Sequence, residues 1–250
     1  MKVGAVRYLN AFPLWRCVEG VRLGTPNQLS EWLEVGSVDA ALTSSIEAFR
    51  SGRRILGGYG VCACGPVESV LLLGDLGASG ATFAPDPHSR TSNALARIIL
   101  AQRYGIHPAI APAAEADLRV VIGDPALKLD TDRGPYLDLG REWQELTQLP
   151  FVFAVWITRT GESRSTLRPQ IELSLDAPAL LEEAATRYSD FNKETIDRYL
   201  SKTLYYRWSQ PAQTSPEWES LQKFYSLAKE FEPDLTAPLL DQETTDPQVS

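Results

Sequence analysis

Arg90 is the residue of this sequence whose placement most needs a reason. It stands in "DPHSRTSN", Asp86 to Asn93, directly ahead of "ALARIILAQRYG", a segment with the three-and-four apolar spacing of a helix. A helix N-terminus carries partial positive charge and favours Asp, Glu, Ser or Thr, so an arginine there opposes the dipole unless something negative joins it. Two arrangements meet that requirement. In one, Asp86 pairs with Arg90 and the motif is a helix start with a structural ion pair. In the other, an anion is held by Arg90, the Thr91 and Ser92 hydroxyls and the free N–H groups of the following helix.

Three further stretches carry similar equipment: Tyr8, Leu9 and Asn10; Thr43, Ser44 and Ser45; and Gly123 with Asp124. Each has a plain structural alternative. Asn10 and the two serines suit helix N-caps, with Glu47 as a capping-box partner for the latter. Asp124 either acts on a ligand or pins its own loop, and Tyr8 either stacks on a ligand or caps the core. Phe151, Phe153 and Trp156 form a stripe that is core by default, with Phe153 also a candidate for a ligand wall.

The elements needed to position these groups are legible. "KVGAV", "VDAAL" and "ATFA" are apolar strand candidates, each followed by a polar loop and a helix candidate, and a fourth strand, "LRVVIG", runs into "DPALKL". Strands alternating with helices predict an α/β protein with mainly parallel sheets. Ligands of such sheets lie beyond the carboxyl ends of the strands, where Tyr8 to Asn10, Thr43 to Ser45, Ser89 to Ser92 and Gly123–Asp124 all fall. Two strongly apolar strands, near 68–73 and 150–158, are expected to mark the crossings to an inserted second domain. The division is 1–74 with 156–250, C-terminal helices included, against 75–155, with a cleft between them; the alternative is one continuous sheet. Residues 241–250 are polar and aperiodic, and a frayed tail is expected.

Composition excludes several classes. A net charge of −8 offers no basic face for nucleic acid. Two histidines and the "CAC" pair Cys62 and Cys64 do not make a tetrahedral zinc site, and no G-x-S-x-G elbow, G-x-G-x-x-G or Walker loop is present. No metal or cofactor is expected. The N-terminus lacks a signal-peptide pattern, no run reaches the ~20 apolar residues of a membrane span, and three cysteines fit a reducing compartment, so the expected location is cytoplasmic. Oligomeric state is left open.

Taken in order, "RYLNAFPL", "LTSSIEAFRSG", "GPVESVLL", "SRTSNALARIIL", "VIGDPAL", "DLGREWQELTQLPFVFAVW" and, more weakly, "IDRYLSKTLYYRW" resemble the chorismate dehydratases of the futalosine route to menaquinone, over nearly the whole chain. The resemblance implies a type II periplasmic-binding-protein-like fold, two α/β domains with a ligand cleft between them. It also implies a hydro-lyase that converts dianionic chorismate to 3-[(1-carboxyvinyl)oxy]benzoate and water.

On that reading Arg90, Thr91 and Ser92 take one substrate carboxylate, and Ser44 and Ser45 take the other or the hydroxyl. Asn10 orients the substrate or meets the departing hydroxyl. Tyr8, Leu9, Ser69, Ser89, Gly123 and Phe153 complete the expected binding set, and Asn10, Ser44 and Asp124 are the expected catalytic residues. A base is missing from the motif loops: the acidic candidates are Glu68, Asp86 and Asp124, and their shortage suggests that the enolpyruvyl carboxylate of the substrate takes the proton itself. Two competing readings remain: a later menaquinone-pathway enzyme of the same fold (1,4-dihydroxy-6-naphthoate synthase type), and a non-catalytic receptor for a small carboxylate.

Overall fold

In the computed structural model, which describes residues 1–50, 53–77, 81–159 and 163–241, the apolar runs fold into two mixed sheets. The elements in chain order are β1 (Val3–Val6), α1 (Phe12–Trp15), β2 (Arg22–Gly24), α2 (Pro26–Glu34), β3 (Ala40–Ser44), β4 (Arg54–Ala63), β5 (Val70–Leu73), β6 (Thr82–Ala84) and α3 (Arg90–Tyr104). They continue with β7 (Ala109–Ile110), β8 (Leu118–Ile122), α4 (Gly123–Leu127), β9 (Tyr136–Asp138), α5 (Leu139–Thr147), β10 (Phe151–Thr158), α6 (Ser163–Asp176), α7 (Leu180–Arg187), α8 (Lys193–Arg198), β11 (Tyr205–Arg207) and α9 (Pro216–Ala228). Short 3-10 turns follow β1 at Leu9–Ala11 and β3 at Ser45–Phe49, and a π turn at Tyr199–Thr203 extends α8.

Among the described residues, the first sheet has the order β11-β4-β10-β3-β1-β2 and the second β7-β6-β8-β5-β9, so one continuous sheet does not form. The α/β class is as expected, but the prevalence of parallel pairing is not. β1 runs parallel to β2 and β3, and β6 to β7 and β8, whereas β10 is antiparallel to β3 and β4, and β5 to β8 and β9. The reason lies in how the chain arrives. Parallel neighbours need a crossover within one sheet, and β5 and β10 are each the first strand entered after a passage from the other sheet.

Sheet membership changes between Ala63 and Val70 and again between Asp138 and Phe151. A division by sheets therefore places Val70–Leu73 with the second unit and all of Phe151–Thr158 with the first, rather than at 74/75 and 155/156. β4 is the longest strand, and its glycines disguise it as a loop in the sequence. Gly60 is required there: a Cβ would lie 2.7 Å from the Ala154 carbonyl oxygen of β10. At the C-terminus Asp241 is buried and its N–H donates to the Ile55 carbonyl at 2.8 Å, so the expected frayed tail does not include it; 242–250 lie outside the described residues.

α3 forms for the reasons its sequence offers. The Ser89 hydroxyl caps it by accepting from the Ser92 N–H at 3.1 Å, and Gly105 ends it in the left-handed region at φ 66°. Leu95, Ile98 and Ile99 are fully buried, and the helix packs on α5, β8 and α9 as well as on the Ser45–Phe49 turn. It therefore touches β8 of the second sheet and, through its first turn, the turn that follows β3 of the first.

Candidate functional site

Four strand ends meet around one cavity. Val6, Tyr8 and Asn10 come from the end of β1, Ser44 from the end of β3, Ser89 and Ser92 from the loop and first turn after β6, and Ile122 and Gly123 from the end of β8. Pro26, Val70, Phe153 and Ala154 complete the wall. The two sheets thus supply polar groups from opposite sides, as the strand-end rule for α/β sheets predicts. Its volume is ≈ 50 Å³. A roomier cavity of ≈ 690 Å³ lies elsewhere, against Leu73, Gly74, Asp117, Arg119 and Lys128, and includes none of these strand-end groups. The smaller one is the candidate site because the polar groups converge there.

Local backbone geometry explains the wall. Phe153 is the extra residue of a β-bulge: β10 pairs Val152 with Cys62 and Ala154 with the adjacent Val61. The bulge lets consecutive side chains, Phe153 and Ala154, face the same cavity, which regular strand alternation forbids. Gly123, at φ 63°, sits against the Tyr8 ring, where a Cβ would come within 3.1 Å, and its N–H donates to the Ser69 carbonyl at 2.7 Å. The Tyr8 phenol is pushed up by burial and by the negative charges of Asp86 and Asp124, so it is a neutral donor at ordinary pH.

The serines of the β3 turn are unlike helix caps. Ser44 occupies the N-cap position of the Ser45–Phe49 turn, but its hydroxyl makes no capping bond. The Thr43, Ser44 and Ser45 hydroxyl oxygens are all buried and have no hydrogen-bond partner within the chain. Buried hydroxyls are normally satisfied. Of the three only Ser44 lines the cavity; Thr43 and Ser45 are fully buried behind that surface, so the expected Ser45 contact is not formed, and the Ser44 hydroxyl is the one left open to an outside partner there. Asn10 likewise is not the N-cap of its turn, which is Tyr8. Its neighbour Leu9 is fully buried and does not line the cavity; the Leu9 N–H donates to Asp124 Oδ1 at 3.1 Å.

The side chains of Arg90 and Thr91 are engaged elsewhere. Neither lines the cavity. Arg90 Nη1 donates to Glu47 Oε1 at 3.1 Å and Nη2 donates to Glu232; the expected partner Asp86 instead accepts from the His88 N–H at 2.7 Å. Burial works against charge on Arg90, but Glu47 and Glu232 more than offset it and hold its pKa above the usual value. The Thr91 hydroxyl accepts from the Ile46 N–H at 3.0 Å. Glu47 is no capping-box partner: it is 2% exposed, and its Oε2 accepts from the Ser30 hydroxyl at 2.5 Å and Arg53 at 3.0 Å and forms an ion pair with Arg50 at 2.9 Å.

The three acidic candidates for a base are also engaged. Glu68 pairs with Arg198 and accepts from the Thr203 hydroxyl at 3.1 Å. Asp86 and Asp124 have pKa values raised by burial, opposed by the His88 and Leu9 N–H groups respectively. None of the three lines the cavity. Ser69 stands one layer behind it, fully buried, its hydroxyl 2.5 Å from that of Tyr199. Tyr199 escaped sequence reasoning. Its hydroxyl is pushed up by burial, and it sits at the start of the π turn, close enough to the Asn10 side chain to be influenced by it. No local signal in "IDRYLSKTLYYRW" marks it; only the structure shows that Tyr199 opens a turn type that recurs at functional sites.

Among the described residues no group of three or more His, Cys, Asp or Glu side chains could hold a metal ion, and no helix is long and apolar enough to cross a membrane. Similar folds occur in a protein from Archaeoglobus fulgidus (TM-score 0.68, 16% identity, covering 93% of this chain and 97% of that one). They occur also in the alkanesulfonate-binding protein SsuA from Xanthomonas axonopodis pv. citri, bound to MOPS (TM-score 0.59, 16% identity, 96% and 95% covered). These likenesses establish the periplasmic-binding-protein-like fold. In sequence, the chorismate dehydratase of Campylobacter jejuni is 30% identical over 214 residues, 83% of this chain and 86% of that protein. The menaquinone biosynthesis family is matched over residues 1–230, and the chain belongs to that family.

Proposed function

We propose that the protein is a chorismate dehydratase, a hydro-lyase that converts chorismate to 3-[(1-carboxyvinyl)oxy]benzoate and water. The observation that carries this reading is the cavity where Tyr8, Asn10, Ser44, Ser89 and Ser92 converge from both sheets, with the Ser44 hydroxyl buried and unpartnered. The family match and the dehydratase relative support the choice of substrate.

The chemistry suits neutral donors. Elimination removes the ring proton at the ether-bearing carbon and the neighbouring hydroxyl, and aromatisation drives it. That proton is vinylogous to the ring carboxylate, so charge developing on its loss spreads onto the carboxylate oxygens, where donors stabilise the transition state more than the ground state. One carboxylate sits at the first turn of α3, against the Ser89 and Ser92 side and the partial positive charge of the helix end. Ser44 donates from the opposite side, and Asn10, backed by Tyr199, meets the departing hydroxyl. Arg90 and Thr91 do not touch the substrate.

Glu68, Asp86 and Asp124 are each held by partners outside the cavity, which supports substrate-assisted elimination. The enolpyruvyl carboxylate accepts the proton and returns it to the departing hydroxide, so one water leaves and the carboxylate is regenerated. A volume of ≈ 50 Å³ is far below the roughly 300–1,000 Å³ of ligand sites, so on this reading the cavity widens to admit substrate.

Ultraviolet spectroscopy of the purified protein with chorismate tests the reading. Conversion to an aromatic product supports it. Unchanged chorismate with tight binding favours a carboxylate receptor, and neither binding nor conversion favours the later menaquinone enzyme of the same fold.

A further inference from the structure

Arg90 is left without a role by the proposed reaction, yet its surroundings give it one. α3 follows β6 of the second sheet, but its first turn is fastened to residues from beyond the cavity. Arg90 donates to Glu47 at 3.1 Å and to Glu232, and the Thr91 hydroxyl accepts from the Ile46 N–H at 3.0 Å. Glu47 is a firm anchor, buried and gripped by Ser30, Arg50 and Arg53. Two turns along α3, the Arg97 guanidinium lies over the Phe231 ring at 4.5 Å, next to Glu232.

The junction lies beside the cavity on both sides. Ser44 and Ser45 immediately precede Ile46 and Glu47, while Ser89 and Ser92 flank Arg90 and Thr91. Any slip of α3 against Glu47 is therefore a slip of Ser92 against Ser44, two residues that line the same cavity.

We propose that Arg90 is a positioning residue: by bridging Glu47 and Glu232 it holds the first turn of α3 in register with the Ser44–Ser45 turn, so that donors from the two sheets meet one substrate. The proposal rests on the dehydratase reading. A guanidinium suits the task because its fork of donors reaches two carboxylates at once, which a single ammonium does less well. Misplacement of a catalytic group by about 1 Å can lower a rate by about 10²-fold.

The test compares Arg90→Met, Arg90→Lys, Glu232→Gln and the Arg90→Met/Glu232→Gln double variant of the full chain. Arg90 and Glu232 side chains are 33% and 28% exposed, so these changes spare the buried anchor Glu47. The readouts are kcat and KM for chorismate, hydrogen exchange at the Ile46 amide, and thermal unfolding. The expected result is a fall in kcat of about 10²-fold for Arg90→Met with KM within about threefold, partial recovery in Arg90→Lys, and faster exchange at Ile46. Glu232→Gln lowers kcat by roughly tenfold, and the double variant is no worse than Arg90→Met alone, because both act through one bridge.

A rise in KM for Arg90→Met with Glu232→Gln unaffected would show Arg90 touching the substrate and overturn the proposal. Lowered unfolding temperatures with wild-type kcat per folded molecule, or unchanged Ile46 exchange, overturn it too. A wild-type protein inert toward chorismate would instead bring down the dehydratase reading and the catalytic half of the proposal together.

Discussion

Two polar clusters lie within a few residues of each other in the chain and differ in one respect. At the cavity and just behind it, Ser44 and its neighbours Thr43 and Ser45 bury hydroxyls that bond to nothing in the protein. Next to them, Glu47, Arg53, Ser30 and Arg90 form a cluster in which each charged group has a named partner. Desolvation penalises both clusters, and only the second recovers that penalty internally. On the proposed reading the difference separates polar groups that serve a ligand from those that serve the fold, even where they alternate along the sequence as Ser89, Arg90, Thr91 and Ser92 do.

The largest expected effect breaks the paired cluster. Glu47→Leu leaves Arg53, 7% exposed, without its carboxylate, and removal of one partner from a buried pair costs roughly 3–5 kcal/mol. In a chain of this size that lowers the unfolding temperature by on the order of 10 °C. Calorimetry showing a fall of less than about 1 kcal/mol would mean that Glu47 is no anchor.

Ser44→Ala should do the opposite. The lost hydroxyl has no partner in the protein, so stability stays level or rises slightly, while kcat/KM for chorismate falls by about 10²-fold through loss of one transition-state donor. A stability loss like that of Glu47→Leu with full turnover per folded molecule would erase the distinction between the clusters.

A smaller effect is expected of the carboxylates that do not line the cavity. Glu68→Gln, Asp86→Asn and Asp124→Asn should each keep kcat within about tenfold, whereas removal of a general base would lower it by about 10²–10⁴. A loss of about 10⁴ in steady-state kcat for one of them, with chorismate still bound, identifies a protein base and ends substrate-assisted elimination.

The same comparison explains what could be read in advance. Tyr8, Asn10, Ser44, Ser89, Ser92 and Gly123 were legible because strand ends follow from local apolar periodicity, and the rule that ligands lie beyond them needs no tertiary detail. The pairing of Arg90 was not legible for a definite reason: its partners Glu47 and Glu232 lie 43 and 142 residues away, whereas pattern reading sees neighbours such as Asp86. Tyr199 was invisible on the same ground, 130 residues from Ser69. β10 was recognised as apolar, but its bulge at Phe153 depends on pairing with β4, which the sequence does not encode locally. β4 itself was obscured by Gly57, Gly58 and Gly60, at least one of which is there to let β10 approach.

The smallest effect concerns Asp124, which belongs to neither cluster fully: it has one backbone partner, and burial outweighs it. Its pKa is raised above the ordinary carboxylate value. A raised value means that the folded state holds the proton more tightly than the unfolded chain does. Its contribution to stability is therefore complete below the unfolded pKa of about 3.9 and is lost as pH rises through the folded pKa. Asp124→Asn keeps an oxygen to accept from the Leu9 N–H and removes the titration. The unfolding temperature of the variant relative to wild type should then move upward between about pH 4 and neutrality, by a few degrees at most, since 1 kcal/mol corresponds to roughly 2–4 °C in a chain of this size. A difference that stays flat over that range, or moves downward, would mean that Asp124 is a fully satisfied member of the fold, bonded as well as the carboxylate of Glu47.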